Sequence, residues 1–275
     1  MNRKLIGIDL DKTTLNNAGE VSARTRQALQ AAQAAGHIVS IVTGRPTRLS
    51  TDIYQTLGLT SPMINFNGSL GHNPTQPWLH EYSFQVDREI AFDLLENAGM
   101  MGIDTVVAET KNEVWANGDG PQRDSEDAMF FPQDEAGQQM LDRFSLKTDV
   151  NAILIHAENA LHQNQIQHFV TDRYGADKVA VKTWGGDSPV LEIAPAGVSK
   201  ATGLEILRHA YDISPDEVYA FGDEMNDFEM IDYARHGVVM QNGNPALKAI
   251  ATDITPFTNE EDGLARYLED LLHLS

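Results

Sequence analysis

The first feature that suggests chemistry is a pair of aspartates, Asp9 and Asp11, directly after the apolar run from Leu5 to Ile8. The run is typical of a buried strand, and the strand period of two predicts that both carboxylates point the same way. In an open α/β sheet, ligands bind beyond the carboxyl ends of the strands. Two carboxylates so close repel each other, and a divalent cation can keep one ionised while the other holds a proton near neutral pH. This arrangement suits a nucleophile beside a general acid, although helix caps and turns also contain such aspartate pairs.

Three further segments bring polar residues to positions where a strand ends or a helix begins. Each segment alone has an ordinary structural explanation, such as a helix cap, an exposed first-turn lysine or an acidic helix N-terminus favoured by the helix dipole. Their joint occurrence in this order favours one shared site. The segments are S-I-V-T-G-R at 40–45, G-V-S-K at 197–200 and Y-A-F-G-D-E-M-N-D at 219–227.

This ordered set of motifs resembles the haloacid dehalogenase superfamily of phosphotransferases, in its Cof-type branch of sugar-phosphatase-like hydrolases with a type IIB cap. The resemblance extends to F-T-N-E-E-D-G-L at 257–264, which is similar to the S-N-D-E-D-G-V segment near the end of that branch. Lys12 differs from the family, which usually has glycine there, and M-Q-N-G at 240–243 stands where the family often reads M-G-N-A. Lys248 keeps the family spacing.

The resemblance implies a phosphatase that works through a covalent aspartyl phosphate. Asp9 would attack phosphorus, while Asp11 would protonate the leaving alkoxide and then deprotonate the attacking water. The resemblance also implies Mg²⁺, bound by the carboxylates of Asp9 and Asp223 and by the backbone carbonyl of Asp11, with Asp227 supporting this site.

Other candidate residues would contact the substrate. The resemblance places Thr43, Gly44, Lys200 and Asn226 at the phosphate, with Asn242 as a further candidate. Substrate contacts at the cleft between core and cap are expected from Arg45, Asn67 and Lys12, although Asn-Gly turns and helix-start arginines are common without ligands. In the cap, Trp184, Gly185 and Gly186 are candidates for lining the cleft or, equally, for a packed loop.

The composition limits the class of protein. The chain has 275 residues, a formal net charge of −20 and no cysteine. The charge disfavours nucleic acid as a partner, because a phosphate-backbone binder needs a clustered basic surface. The lack of cysteine excludes disulfides and a thiol nucleophile and suits a reducing compartment. No apolar run reaches the ~18 residues of a membrane helix, so we expect a cytoplasmic protein that binds no membrane and has no evident obligate protein partner.

An acidic chain repels an anionic phosphate ester, so the predicted site must be locally positive. Mg²⁺, Lys200, Arg45 and Lys12 are the expected sources of this charge. The partner would be a small phosphorylated metabolite, with sugar phosphates expected from the resemblance and nucleotides, flavin mononucleotide and pyridoxal phosphate as alternatives.

The alternation of predicted strands and helices indicates an α/β fold with a doubly wound parallel sheet. We expect a catalytic core from residues 1–81 and 189–275, with an inserted α+β cap at 82–188. Residues 190–193 are predicted as a core strand and 133–144 as a cap helix.

Two alternatives remain open at this point, and a third resemblance is disfavoured. A phosphomutase or phosphotransferase on sugar phosphates would share the core chemistry but pass the phosphoryl group to a sugar. A signalling domain phosphorylated on aspartate also uses an acidic pair, a threonine and a lysine, but in another order and on a shorter chain. The string D-K-T at 11–13 also occurs in P-type pumps, which need membrane helices and would leave Asp9 without a role.

Overall fold

The computed structural model describes residues 2–118, 120–121, 126–132, 137–184 and 188–274, as fourteen strands, nine α-helices and six short 3₁₀ helices. The strands are β1 Leu5–Ile8, β2 Ile38–Ile41, β3 Met63–Asn65, β4 Leu70–His72, β5 Tyr82–Ser83, β6 Ile103–Glu109, β7 Val114–Ala116, β8 Gln138–Met140, β9 Ala152–Ala157, β10 Val179–Thr183, β11 Val190–Pro195, β12 Val218–Gly222, β13 His236–Val239 and β14 Asp253–Ile254. The helices are α1 Ala23–Ala34, α2 Thr51–Leu57, α3 Glu89–Glu96, α4 Ala98–Met101, α5 Ala160–Tyr174, α6 Lys200–Ala210, α7 Phe228–Tyr233, α8 Pro245–Lys248 and α9 Gly263–Leu272.

The chain divides into two compact units. The first contains residues 1–45, 49–82 and 199–275, and the second contains residues 46–48 and 83–198. The expected boundary at 81/82 lies within one residue of the crossing between the units at 82/83. The expected boundary at 188/189 lies ten residues before the crossing at 198/199, because β11 belongs to the sheet of the second unit.

The first unit is built on a parallel five-stranded sheet in the order β14-β13-β12-β1-β2. Strand β1 lies in the middle, and a parallel bridge between Val42 and Ile64 joins β3 beyond β2. In a parallel sheet all carboxyl ends meet at one edge, so residues that follow β1, β2 and β12 are brought together there. The sequence motifs around Asp9, Thr43 and Asp223 follow these three strands.

Both faces of the parallel sheet are covered by helices. Ile6 and Ile8 of β1 pack with Leu29 of α1 and Leu268 of α9 on one side. Leu5 packs with residues of α6 and α7 on the other side. Strand residues alternate between the two faces, which explains why these strands read as continuous apolar runs. The predicted doubly wound α/β fold is confirmed.

The second unit is an α+β structure around a six-stranded sheet in the order β10-β11-β9-β6-β7-β8. Its neighbouring strands are antiparallel, except for the parallel pair β7 and β8. Helices α3 and α5 contribute Ile90 and Ile166 to a core with Ile153 of β9.

Two sequence predictions for this region differ from the structure. The strand predicted at 190–193 exists, but it pairs antiparallel with β9 and β10 and does not join the parallel sheet. A helix was predicted at 133–144; residues 133–136 lie outside the described part, and residues 138–140 form β8. Among the helices that the structure describes, none is long and apolar enough to cross a membrane.

Candidate active site

Asp9 and Asp11 take different environments, although they are only two residues apart. Asp9 follows β1 directly, its backbone N–H donates to the Phe221 carbonyl at 3.0 Å, and its residue is 5% exposed. The chain then turns sharply, because the carbonyl of Leu10 accepts backbone N–H groups from residues 13, 14 and 15. The strand period therefore ends at Asp9, and the side chain of Asp11 is 49% exposed. The two predicted catalytic carboxylates therefore differ strongly in exposure.

Lys200 is the first residue of α6 and is completely buried. Its Nζ lies 2.6 Å from Asp9 Oδ1 and 2.6 Å from Asp227 Oδ1. A buried ammonium requires such partners, because its transfer from water without them is strongly unfavourable. The explanation as an exposed first-turn lysine is therefore excluded. Ser199 forms a capping box with Thr202, which fixes the start of α6 and the position of Lys200.

Asp227 fixes the backbone of the neighbouring loop. Its Oδ2 accepts the backbone N–H groups of Asp223 at 2.9 Å and Glu224 at 3.2 Å, while Oδ1 faces Lys200. This approach requires glycine at position 222, since a Cβ there would lie 2.4 Å from the Asp227 carboxyl carbon. Asp227 is thus held by hydrogen-bond donors at both oxygens.

Asp223 completes a group of three buried carboxylates. Oxygens of Asp9, Asp223 and Asp227 lie within 4.8 Å of one another, which would allow a metal ion to bind. Because both oxygens of Asp227 already accept hydrogen bonds, Asp9 and Asp223 are the better ligands. The hydroxyl of Thr13 donates to Asp223 Oδ1 at 3.0 Å. Sequence reasoning missed this role of Thr13, although it is the threonine of the D-x-D-x-T motif.

The charges of this cluster shift its pKa values. Burial raises the pKa of Asp9 well above 3.8; Lys200 counteracts this, and the other carboxylates add to it. Burial and then the charge of Asp227 raise the pKa of Asp223 to about 7, against the hydrogen bond from Thr13 and the charge of Lys200. For Lys200, burial alone would lower the pKa, but the charges of Asp227 and Asp9 outweigh burial and raise it. Three carboxylates against one ammonium favour the uptake of a proton or a cation.

This shift predicts a pH-dependent stability of the metal-free protein. Below pH 3.8 Asp223 is protonated in both folded and unfolded chains; from there to about pH 7 the folded chain keeps a proton that the unfolded chain releases. The free energy of unfolding therefore falls as pH rises through this window, by at most about 4 kcal/mol from this group. We expect Asp223→Asn to have the higher Tm at pH 8 without metal, by about 5 °C or more, and a much smaller difference at pH 4. Thermal unfolding in a chelator at both pH values measures this.

A matched control is Asp52→Asn, at an exposed position in the first turn of α2. Its Tm should follow the wild type at both pH values. If Asp223→Asn shows the same Tm difference at pH 4 and pH 8, the pKa of Asp223 is not raised and the prediction fails.

Asp11 is paired with Arg45. Arg45 Nη2 lies 2.5 Å from Asp11 Oδ1, and Nε lies 2.9 Å from Oδ2, so the guanidinium contacts both carboxylate oxygens. Arg45 is buried, and its Nη1 donates to the Leu49 carbonyl at 3.2 Å. Its backbone N–H donates to the hydroxyl oxygen of Thr43 at 3.1 Å. The residue predicted as a substrate contact therefore binds the predicted acid-base residue in this structure.

The other predicted phosphate and substrate residues lie near one another. Asn226 Nδ2 donates to Asn67 Oδ1 at 3.3 Å, and a Cβ on Gly44 would lie 3.0 Å from the same Asn67 oxygen. Asn67 has a left-handed backbone with φ +50°. The following Gly68 has φ +106°, and a Cβ there would lie 2.0 Å from the carbonyl oxygen of Ser199. The turn at Asn67 is thus packed backbone to backbone against the start of α6.

Lys12 adopts a left-handed backbone with φ +52° and is exposed. The turn forms although the chain lacks the glycine of the family, and a left-handed non-glycine residue costs about 1–2 kcal/mol. The carbonyl of Lys12 accepts a hydrogen bond from Asn242 Nδ2 at 2.8 Å. Asn242, which the resemblance placed at the phosphate, thus also bonds to this backbone, and its contact with phosphate stays a prediction. Lys248 Nζ donates to the Gln241 carbonyl at 2.5 Å and so supports the loop that carries Asn242.

In the second unit, Trp184 makes an edge-to-face contact with Phe130, with ring centroids 4.6 Å apart. Its packing agrees with the explanation as part of a packed loop. Gly185 and Gly186 lie outside the described residues.

Comparisons with known proteins agree with this fold. Residues 6–268 match the family of haloacid dehalogenase-like hydrolases, and the chain belongs to this family. The chain is 34% identical over 271 residues to a 5-amino-6-(5-phospho-D-ribitylamino)uracil phosphatase of Bacillus subtilis, with 98% of each chain covered. It is 28% identical over 290 residues to the pyridoxal phosphate phosphatase of Escherichia coli, again with 98% of each chain covered.

The structural comparison gives the same result. The crystal structure of a haloacid dehalogenase-like hydrolase from Bacteroides thetaiotaomicron superposes with a TM-score of 0.83 at 26% identity, covering 98% of this chain and 100% of that chain. The family and the enzyme class predicted from the sequence, a haloacid dehalogenase-type phosphatase, are confirmed.

Proposed function

We propose that the chain is a Mg²⁺-dependent phosphatase that hydrolyses small phosphomonoesters through a phosphorylated Asp9. The observation that carries this proposal is the buried Asp9 carboxylate. Its Oδ1 is held by Lys200, while Oδ2 accepts no hydrogen bond from the part of the chain that the structure describes. One oxygen is thus fixed by an ammonium, and the other is available for attack on phosphorus.

The donor set fits a hard divalent cation. Asp9 and Asp223 would hold Mg²⁺ through carboxylate oxygens, and Asp11 through its backbone carbonyl, all of which are oxygen ligands of the kind that Mg²⁺ prefers. When bound, Mg²⁺ would offset the excess negative charge of the cluster and polarise the phosphate oxygens. Asp227 accepts the backbone N–H of Asp223 and so helps to position the Asp223 carboxylate.

The reaction proceeds in two displacements. In the first, Asp9 Oδ2 forms a bond to phosphorus while the ester P–O bond breaks, and Asp11 donates a proton to the leaving alkoxide. In the second, water attacks phosphorus and gives its proton to Asp11, the Asp9–phosphorus bond breaks, and inorganic phosphate leaves. Lys200 keeps Asp9 Oδ1 in place throughout and compensates negative charge.

The phosphate oxygens need hydrogen-bond donors. The hydroxyl oxygen of Thr43 accepts the N–H of Arg45, so its own hydrogen can point to a phosphate oxygen. The exposed amide of Asn226 is a second donor, and Gly44 leaves room beside Asn67. We assign Thr43, Gly44 and Asn226 to phosphate binding on these grounds, with Arg45, Asn67 and Lys12 toward the rest of the substrate.

The ion pair of Asp11 with Arg45 affects how Asp11 can transfer protons. Both oxygens of Asp11 accept hydrogen bonds from Arg45, so at least one of these bonds must open when Asp11 exchanges a proton with substrate or water. The half-exposed position of Asp11 allows such a rotation.

Replacement of Asp11 by Asn tests this role. We expect Asp11→Asn to lower kcat by about 10²–10⁴-fold for an alkyl phosphate, whose leaving group needs a proton. When phosphorylation of Asp9 limits the rate, kcat for an aryl phosphate with a good leaving group should fall much less. Initial rates with both substrates measure the effect; equal losses, with phosphorylation rate-limiting in each, would remove Asp11 from the acid role.

The relatives narrow the substrate class. One is named for a phosphorylated ribitylamino-uracil and another for pyridoxal phosphate, both small phosphomonoesters. We propose a substrate of this class, with sugar phosphates as the first candidates. A phosphate-release screen over a panel of phosphomonoesters, with Mg²⁺ and with chelator, tests the proposal. Isomerised substrate without free phosphate would indicate a phosphomutase instead, and activity that chelator leaves unchanged would contradict the Mg²⁺ site.

A further inference from the structure

The first loop, residues 9–22, connects β1 to α1 and carries both Asp9 and Asp11. The loop contains no helix or strand. The backbone at Lys12 is left-handed, which is an unfavourable conformation for a residue with a Cβ. The Leu10 carbonyl closes the turn from within, and contacts from elsewhere in the chain can hold it further.

Residues 258–263, here called the clamp segment, supply such contacts. The side-chain amide of Asn259 donates to the Leu15 carbonyl at 3.0 Å and to Asn17 Oδ1 at 3.1 Å, so both of its hydrogens bond to the first loop. Asn259 is 9% exposed, and its loss would leave the Leu15 carbonyl buried without this donor. Two further contacts join Glu260 Oε1 to the Asn17 N–H and Asp262 Oδ1 to the Ser22 hydroxyl.

Asn242 extends these contacts to Lys12. Its Nδ2 donates to the Lys12 carbonyl at 2.8 Å, and its Oδ1 accepts the backbone N–H of Asn259 at 3.0 Å. A carbonyl can only accept and a peptide N–H can only donate, so these partners define the orientation of the Asn242 amide. A continuous chain of hydrogen bonds thus runs from the clamp segment to the residue after Asp11.

The clamp segment is rigid for local reasons. Thr258 and Glu261 form a capping box in which the Thr258 hydroxyl donates to Glu261 Oε2 at 2.9 Å. Asp262 is left-handed with φ +61°, and a Cβ on Gly263 would lie 2.1 Å from the Phe257 carbonyl oxygen. These features account for the T-N-E-E-D-G string, to which the phosphatase chemistry itself assigns no role.

We propose that Asn259 and Asn242 are positioning residues for the reaction: they hold the left-handed turn at Lys12 and thereby the direction of the Asp11 side chain. This inference rests on the proposed function, because it uses the acid-base role of Asp11. It adds that the clamp segment determines how often Asp11 is in place for proton transfer.

The experiment compares leaving groups. A looser turn impairs proton transfer by Asp11 but leaves attack by Asp9 intact. We expect Asn259→Ala to lower kcat by about tenfold or more for an alkyl phosphate, by less than about threefold for an activated aryl phosphate, and to change KM little. Asn242→Ala, at an exposed position, should show the same pattern with smaller losses of kcat. It replaces Asn259→Ala in the test if that variant does not fold.

Asn244→Ala is the matched control. Asn244 lies on the same loop as Asn242, but its side chain bonds to Glu224 and to the Ala246 N–H, not to the first loop. Its rates for both substrates should stay within about twofold of the wild type.

Two readouts separate positioning from general damage. Glycine adopts positive φ readily, so Asn242→Ala should lose less kcat in a Lys12→Gly background than in the wild type. Hydrogen exchange of the amides at 13–17 should be faster in Asn242→Ala and Asn259→Ala and unchanged in Asn244→Ala.

Equal losses for both leaving groups, additive effects with Lys12→Gly, or unchanged exchange would each overturn the inference. Failure of the proposed function would be seen in a different experiment, because the Asp9→Asn variant would then remain active. The exchange experiment needs no turnover and tests the clamp in either case.

Discussion

Replacement of Asp9 by Asn is expected to abolish phosphate release, with a loss of at least about 10⁴-fold in kcat. An amide cannot form the acyl phosphate on which both displacements depend. The fold should persist, because the carboxylate that is lost lies in a cluster with excess negative charge, and the amide oxygen of Asn still accepts from Lys200. Phosphate release from an alkyl and an aryl ester, and circular dichroism for the fold, measure the two effects.

The control for this variant is Asp52→Asn, which removes an exposed carboxylate from the same unit and should keep full activity. Mass spectrometry of acid-quenched wild type should also find a phosphoryl group on Asp9. Retention of a tenth of the wild-type rate by Asp9→Asn, in protein free of contaminating phosphatase, would contradict the covalent mechanism.

Of the substitutions proposed for this protein, Lys200→Met should lower the free energy of unfolding most. The methionine fills a similar volume but leaves Asp9 and Asp227 buried without their shared cation. Breaking such a pair from one side costs about 3–5 kcal/mol, which corresponds to a Tm lower by about 10 °C in a chain of this size. The loss should be greater at pH 8 than at pH 5, because protonation of the unpaired carboxylates relieves it at lower pH.

Lys178→Met, at an exposed position in the second unit, should show no such pH-dependent loss. Thermal unfolding without metal at both pH values compares the two variants. A Lys200→Met protein as stable as the wild type at pH 8 would show that Lys200 does not compensate these carboxylates.

The elements around the site could be predicted because each is encoded locally. Apolar runs of four or five residues before Asp9, before Thr43 and before Asp223 indicated buried strands, and parallel strands bring their carboxyl ends together. The burial of Lys200 could not be derived in this way. Its two partners lie 191 and 27 residues away in sequence, and only the folded chain brings them together.

The features that the sequence could not predict needed information about strand pairing and turns. An apolar alternation at 190–193 identifies a strand but not the sheet that it joins, and β11 pairs antiparallel in the second unit. The exposure of Asp11 depends on the turn at Leu10, because the strand period ends at Asp9. The resemblance placed Asn242 at the phosphate, and nothing in the motif spacing indicated the hydrogen bond that it donates to the Lys12 carbonyl.

The contact between Gly68 and Ser199 has a consequence for ligand encounter. Because the turn at Asn67 packs directly on the N-terminus of α6, the backbone that presents Asn67 and the helix that presents Lys200 lose their conformational freedom together when the chain folds. Little ordering entropy then remains to be lost on this side of the site when a phosphate ester arrives. We expect the association rate there to be governed by diffusion and charge rather than by a rearrangement of the protein.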